Sequence, residues 1–263
     1  MTTAAETQFA WYNLDGTDGR RLWIDGNQKI SGWEPFPNAF SIVQVQDCPG
    51  ATSICKASCY VHNIEKHATD VYNKYKHNSA TIREILQPAG AAVDSPTQWA
   101  RRLGTWIAQN CEDVGFRWHV SGDVFSMRYA QWIRSVCEAS PNVRHWIYTR
   151  SFRFVPSLVG PENLTVNLSC DADNYHQARA LWEVSEHPVR LCYLTHDGRV
   201  PKNLPADSVI FPDYAFRSET GQGQGWWNLL FPHEKKMVCP VDRLGKSETR
   251  RCGPCQKCIK EPV

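Results

Sequence analysis

No run of apolar residues in the 263-residue chain approaches the length of a membrane span, which argues against a membrane partner. Charge of one sign is also missing: 29 basic against 27 acidic residues leave a net +2, far from the basic footprint of a nucleic-acid binder. A local basic patch remains open around Arg250, Arg251, Lys257 and Lys260. There is no compact set of metal-binding carboxylates with a nearby lysine, as a nuclease carrying a structural cluster would need. The first ten residues are polar and lack the basic and apolar regions of a signal peptide, so the expected compartment is the cytoplasm. No internal repeat and no low-complexity tract interrupts the chain. Its length suffices for one large domain or two small ones, with a core that needs no disulfides.

What the chain does have is cysteine, eleven in all. An odd number cannot pair completely, and cytosolic thiols are kept reduced. Seven fall in two groups: Cys48, Cys55 and Cys59 near the start, and Cys239, Cys252, Cys255 and Cys258 at the end. Cys111, Cys137 and Cys192 lie in apolar or periodic segments and read as small buried hydrophobes. Cys170 stands at a strand end and is less easily assigned.

The segment before Ala39 carries Asp-Gly, Gly-Asn and Gly-Trp steps and predicts short strands or loops, with a hairpin across Asp25-Gly26. Beyond it, strands are predicted at 39–45, 116–121, 143–148, 164–168, 189–194 and 208–211. Helices are predicted at 62–86, from Ser95-Pro96 onward, at 129–139 and at 178–186. Ser95 with Pro96 has cap chemistry, and Trp99, Leu103, Trp106 and Ile107 follow at helical spacing. Alternating strands and helices predict parallel crossovers and an α/β fold. Each strand ends in a polar cluster: Cys48, Asp123, Arg150, Asp171, His196-Asp197 and Asp213. Barrels place function at such ends. Six strands are too few to close, so the expected architecture is a partial (β/α)6 TIM-like barrel at 39–218. A small N-terminal β/loop extension (1–38) precedes it, and a loop and Cys-rich tail (219–263) follows. A flat doubly wound sheet is the rival.

The terminal run Cys252-Gly-Pro-Cys255-Gln-Lys-Cys258 has two consecutive two-residue spacers, as in bacterial ferredoxin runs. Three thiolates so spaced can each take a different iron of a [4Fe-4S] cluster, and Cys239-Pro240 supplies a fourth. Structural zinc on the same four cysteines is the alternative. Cys48, Cys55 and Cys59 form a second loop, directly after the first predicted barrel strand, able to hold three irons and leave one open. Asp123, Arg150, Asp171, Asp173 and Asp213 can line one mouth and bind a polar ligand or metal, or merely cap helices and form turns. Arg150 suits an anionic group such as a carboxylate. His119 lies mid-strand among apolar residues, as a core histidine does; facing the mouth instead, it can contact a cluster or act as an acid. Trp99, Trp106, Trp132 and Trp182 fall on helical faces and are expected in the core. Trp226-Trp227 follow the glycine loop Gly221–Gly225 and suit a core or lid role over base stacking.

Cys48 to Tyr60, Trp118-His-Val-Ser-Gly-Asp-Val-Phe125, Tyr148-Thr-Arg-Ser151, Asn167-Leu-Ser-Cys-Asp-Ala-Asp173 and the terminal cysteine run together resemble the gene product 88 family of actinobacterial phages, over roughly Ala39 to Ile259. That family brings no defined activity. It is distantly similar in turn to radical S-adenosylmethionine barrels. Their cysteine loop has spacers of three and two residues, against six and three here. A glycine-rich motif on their second strand holds the cofactor; Ser121, Gly122 and Asp123 occupy that place with one glycine instead of two. The resemblance implies either an iron–sulfur protein with one or two clusters and no catalysis, or an active enzyme that cleaves S-adenosylmethionine at an open iron. Partners would be a small molecule or an electron donor, and a phage-encoded chain would work in the host cytoplasm.

Overall fold

The computed structural model describes residues 9–27, 30, 37–44, 46–87, 94–111, 115–213, 229–240, 242 and 252–260. The glycine loop Gly221–Gly225, Trp226, Trp227, Arg250 and Arg251 lie outside the described residues. One eight-stranded sheet organises the chain, with strands in sequence order: β1 (Phe9–Asp15), β2 (Arg21–Asn27), β3 (Ala39–Phe40), β4 (Phe116–Trp118), β5 (His145–Thr149), β6 (Leu164–Cys170), β7 (Val189–Thr195) and β8 (Val209–Pro212). β1, β2 and β3 pair antiparallel, and every pair from β3 to β8 is parallel. The order never reverses, so the sheet is singly wound and the doubly wound rival is excluded. No described residues of β8 pair with β1, and the sheet stays open.

Same-handed crossovers put the connecting helices on one face. These are α1 (Ser53–Ala57), α2 (Val61–His67), α3 (Thr69–Ile85), α4 (Pro96–Asn110), α5 (Met127–Glu138), the short α6 (Val155–Leu158) and α7 (Tyr175–Val184). α4 starts where sequence places it: Ser95 Oγ accepts from the Gln98 amide at 3.2 Å, and the Gln98 side chain accepts from the Ser95 amide at 2.7 Å. The helix-side core joins Trp99, Leu103 and Ile107 of α4 and Tyr129, Ile133 and Val136 of α5 to Phe116, Trp118, Ile147, Val166, Leu168 and Leu191 of the sheet. Cys111, Cys137 and Cys170 are buried there too. Among the described residues, no helix is long and apolar enough to cross a membrane.

Several expected boundaries move. The N-terminal hairpin turns at Gly16–Arg20, where the Gly16 amide reaches Arg20 O at 2.7 Å, and Asp25-Gly26 lies inside β2. Burial decides it: Leu22, Ile24 and Asp25 are fully covered, so this stretch must pair rather than turn. The predicted 39–45 strand shrinks to two residues because the Val43 amide is taken by Ser79 Oγ of α3 at 2.9 Å. β4 stops at Trp118 because His119 adopts φ +62, which takes it out of the extended region. The predicted helix over 62–86 breaks at Ala68, whose φ −125 and ψ 78 are not helical. The link between β5 and β6 contains a 3₁₀ turn (Phe152–Phe154) before α6.

Successive residues of a strand face opposite sides. With Phe116, Trp118, Ile147, Val166, Leu168 and Leu191 on the helix side, Ala39, Arg117, Trp146, Tyr148, Thr165, Asn167, Arg190, Cys192 and Val209 face the other way. This second face of the sheet, the bowl side, is covered by the C-terminal segment.

Candidate metal centre

At the carboxyl ends of the strands, α1 carries Cys55 and is capped by Thr52, whose Oγ1 accepts from the Cys55 amide at 3.0 Å. The same hydroxyl donates to Asp171 Oδ2 at 2.6 Å. Arg150 Nη1 donates to that oxygen, also at 2.6 Å, and its guanidinium acts electrostatically on the Cys55 thiol. Arg150 thus joins the first cysteine loop to the ends of β5 and β6. Asp173 accepts a hydrogen bond from Ser53 Oγ and ties the start of α1 to the loop after β6. Gly50 closes the contact: a Cβ there would stand 2.2 Å from Arg150 O. Cys59 follows Cys55 by four residues and interacts with it electrostatically. Burial raises both thiols above their ordinary range. Cys48 opens the loop and is partly buried.

Asp123 is committed locally. Its carboxylate accepts from the Val124 amide at 2.6 Å, the Arg150 amide at 2.9 Å and Ser151 Oγ at 3.0 Å. Ser121 Oγ donates to Glu65 at 3.1 Å. Gly122 sits at φ +83, where an added Cβ would fall 2.2 Å from Ile42 Cγ1. These three residues lock β4 to its neighbours. His119 is a core histidine: its Nε2 meets the Tyr129 hydroxyl at 2.8 Å, and burial pushes its pKa down to about 3. Asp213 is buried, and its amide donates to Thr195 O at 2.8 Å. Beside Asp171, a cavity of about 310 Å³ is lined by Tyr175, Tyr193, His196, Asp197 and Arg199, which includes the polar end of β7.

The second cysteine group lies elsewhere, deeper in the bowl. The segment at Met237–Cys239 extends the sheet beyond β8: the Ile210 amide donates to Met237 O and the Cys239 amide to Ile210 O, both at 2.9 Å. This sets Cys239 beside Val209 and Cys192, with Cys258 packed against them. The tail at residues 252–260, which begins with the turn α8 (Cys252–Cys255), is fastened through its backbone. Thr165 Oγ1 donates to Ile259 O at 2.7 Å, Asn167 Nδ2 to Cys258 O at 3.0 Å, and Arg190 Nη2 to Lys260 O at 2.9 Å. Tyr148 packs with Cys258 against the same group, and burial pushes that thiol up to about 11. Cys252 packs on Trp146, Val120 and Ile259, whereas Cys255 is exposed.

Two arginines on this face make no ion pair among the described residues, although Arg117 interacts electrostatically with the buried Asp25. Arg190 is buried and bonded only to neutral oxygens, those of Asp207 O, Asn167 Oδ1 and Lys260 O. Arg117 lies over the Tyr148 ring at 5.0 Å and interacts electrostatically with Cys252. Arg117 Nε and Trp146 Nε1 are buried donors with no acceptor among the described residues. Sequence reading gave Arg117 and Arg190 no role, and its expectation that Cys192 is buried holds. A signal was present in β7, where a charged residue and a cysteine stand two apart in an otherwise apolar strand.

All eleven cysteines are free thiols. Cys55 interacts with Cys59, and Cys258 with Cys252, Cys255 and Cys192, so each group is associated within itself. Among the described residues, no three His, Cys, Asp or Glu side chains are grouped to hold a single metal ion. No curated protein and no solved structure matches the chain, and the similarity to radical S-adenosylmethionine barrels finds no support there. The profile of the Gene product 88 family matches residues 15–261, nearly the whole length, and the chain belongs to that family of phage gene products.

Proposed function

We propose that this chain is an iron–sulfur protein with two separate cysteine-bound centres, one drawn from Cys48, Cys55 and Cys59 and one from Cys239 and the Cys252–Cys258 run. The observation that carries the reading is the unbalanced positive charge beside the tail cysteines. A buried cation without a counter-ion is costly; Arg190 makes no ion pair among the described residues, and Arg117 makes none either, feeling only the charge of Asp25 from beyond ion-pair distance. A cluster ligated by thiolates is an anion, and it would accept hydrogen bonds from the idle Arg117 Nε and Trp146 Nε1. When bound, it would supply one-electron chemistry. Tyr148 would orient Cys258, Asn167 would fix the tail backbone, and the packed Ile259 would keep water out. Eleven free thiols suit a reducing compartment such as the host cytoplasm.

Zinc is the less favoured occupant. Four sulfurs at about 2.3 Å from one zinc ion stand roughly 3.8 Å apart, and no group of three donors is so gathered among the described residues. The ligands of a cuboidal cluster, each on its own iron, are spread more widely. The test is anaerobic purification with iron, sulfide and zinc analysis and Mössbauer spectroscopy. Iron with equal sulfide is expected. Zinc without sulfide, or no metal after reconstitution, overturns the reading.

A catalytic version has one feature in its favour, the Cys55 loop tied to the carboxyl ends of the strands through Arg150 and Asp171. In that version the first centre has an open iron and binds S-adenosylmethionine. Against it, Ser121, Gly122 and Asp123 are already engaged with Glu65, Ile42 and Arg150. Added S-adenosylmethionine should change the electron paramagnetic spectrum of the reduced, loaded protein if this version holds. An unchanged spectrum rejects it.

A further inference from the structure

Cys192 stands in the middle of β7 with its neighbours Leu191 and Tyr193 in the helix-side core, so its own side chain faces the bowl. There it forms one packed group with Cys239 and Val209, against which Cys258 is laid. Three cysteines from three distant parts of the chain therefore meet: one on a central strand, one on the strand-like edge beside β8, one on the tail. Cys192 Sγ also lies 3.7 Å from Asn167 Oδ1, and the same asparagine holds the backbone of Cys258. Arg190 is on the same face two residues earlier and donates to Asn167 Oδ1 at 3.3 Å. By contrast, Cys255, the middle member of the terminal run, is exposed.

We propose that Cys192 is a ligand of the tail centre, together with Cys239, Cys252 and Cys258, and that Cys255 is not. The proposal rests on the reading that the tail cysteines hold a cluster. Ordinary packing does not account for the arrangement. A cysteine that only fills space has no need around it of two further cysteines, an asparagine and an arginine that makes no ion pair among the described residues. The chemistry is also favourable: a ligand on a central strand is the most rigid of the set, and the tail brings Cys252 and Cys258 to it. Cluster binding would then clamp the tail to β7 instead of closing a self-contained loop.

Two measurements on the full-length chain test this after anaerobic reconstitution with ferrous iron and sulfide. In the wild type, iodoacetamide followed by mass spectrometry should label Cys255 in the loaded protein with no loss of iron. Cys255 that reacts without iron and is shielded on loading overturns the proposal, with no variant involved. In the variants, Cys192→Ala should lose the irons of the tail centre as Cys258→Ala does, while Cys255→Ala keeps them. Retention in Cys192→Ala and loss in Cys255→Ala overturns it. Should Cys192→Ala fail to fold by circular dichroism, Cys192→Ser, close in size, decides: an altered electron paramagnetic spectrum supports ligation, and an unchanged one rejects it. Failure of the underlying reading looks different, because the wild type and Cys258→Ala would then carry equal iron.

Discussion

Arg150 and Asp171 meet at 2.6 Å with 9% and 0% of their side chains exposed, a nearly sealed ion pair between the ends of β5 and β6. Removing one partner of such a pair strands the other charge, at a cost of about 3–5 kcal/mol. Arg150→Ala should therefore lower unfolding stability by that amount in a urea melt. Arg134→Ala in the exposed pair with Glu138 should cost about 0.5 kcal/mol for the lost ion pair. Equal losses in the two variants would show that the first pair is screened by solvent.

Gly50 gives the same network a steric handle. With Arg150 O only 2.2 Å from a would-be Cβ, Gly50→Ala must push the first cysteine loop away from the end of β5. Overpacking of this kind costs about 1–3 kcal/mol. The variant should fold yet take up less iron at the first centre, read as a lower iron-to-protein ratio. Gly19→Ala is the comparison: its strain comes from a left-handed φ of +81, which Gly50 does not have, and nothing lies within 4 Å of the added carbon. Unchanged iron in Gly50→Ala would separate the first loop from metal binding.

The six parallel strands and their polar ends were legible because each strand is a short apolar run stopped by a polar residue, which needs no long-range information. Ser95 and Pro96 announced α4 for the same reason. What escaped were features made by distant partners. The hairpin turn moved because burial of Leu22 and Ile24 outweighs the local turn chemistry of Asp25-Gly26. Asp123 offered a free carboxylate on paper and is used up by amides and hydroxyls of residues 124, 150 and 151. The docking of the tail depends on backbone carbonyls of Cys258, Ile259 and Lys260, and carbonyls carry no sequence signature. Cys192 was hidden by its apolar neighbours until the face of β7 was known.

Acid should unfold the chain through its buried histidines. His119 and His145 are both held neutral by burial, each with its pKa lowered to about 3 from 6.5. Below pH 6.5 the unfolded chain binds protons that the folded one refuses, so this stability is present above pH 6.5 and is lost as pH falls toward 3. By pH 4 the loss is about 3 kcal/mol for each histidine, at about 1.4 kcal/mol per pH unit. Asp25 acts in the opposite direction. Burial lifts its pKa to about 6, so it favours the folded state below pH 4 and loses that advantage as pH rises through 6. Asp123, raised by burial as well, acts with Asp25, while Asp18, held low by its hydrogen bond from Arg20, adds to the loss in acid; with the two histidines dominating, the midpoint of urea unfolding should fall from pH 7 to pH 4. His145→Gln should flatten the slope; a slope unchanged by that variant would assign the acid sensitivity to other groups.

Arg190 on β7, which makes no ion pair among the described residues, makes the last prediction electrical. If the tail centre is an anionic cluster, Arg190 stabilises whichever oxidation state carries more negative charge, which is the reduced one. Arg190→Gln removes that charge but keeps a donor for the carbonyls of Asp207 and Lys260. The reduction potential should therefore fall, by on the order of 50 mV, since about 59 mV corresponds to a tenfold change for one electron. A redox titration followed by electron paramagnetic resonance measures it. Arg144→Gln serves as the comparison, because Arg144 is exposed, bonded to Gln256 at the tail's surface, and screened by water. A potential that drops for Arg190 and stays for Arg144 places the cluster against the inner face of the sheet; equal potentials in all three proteins would remove it from that face.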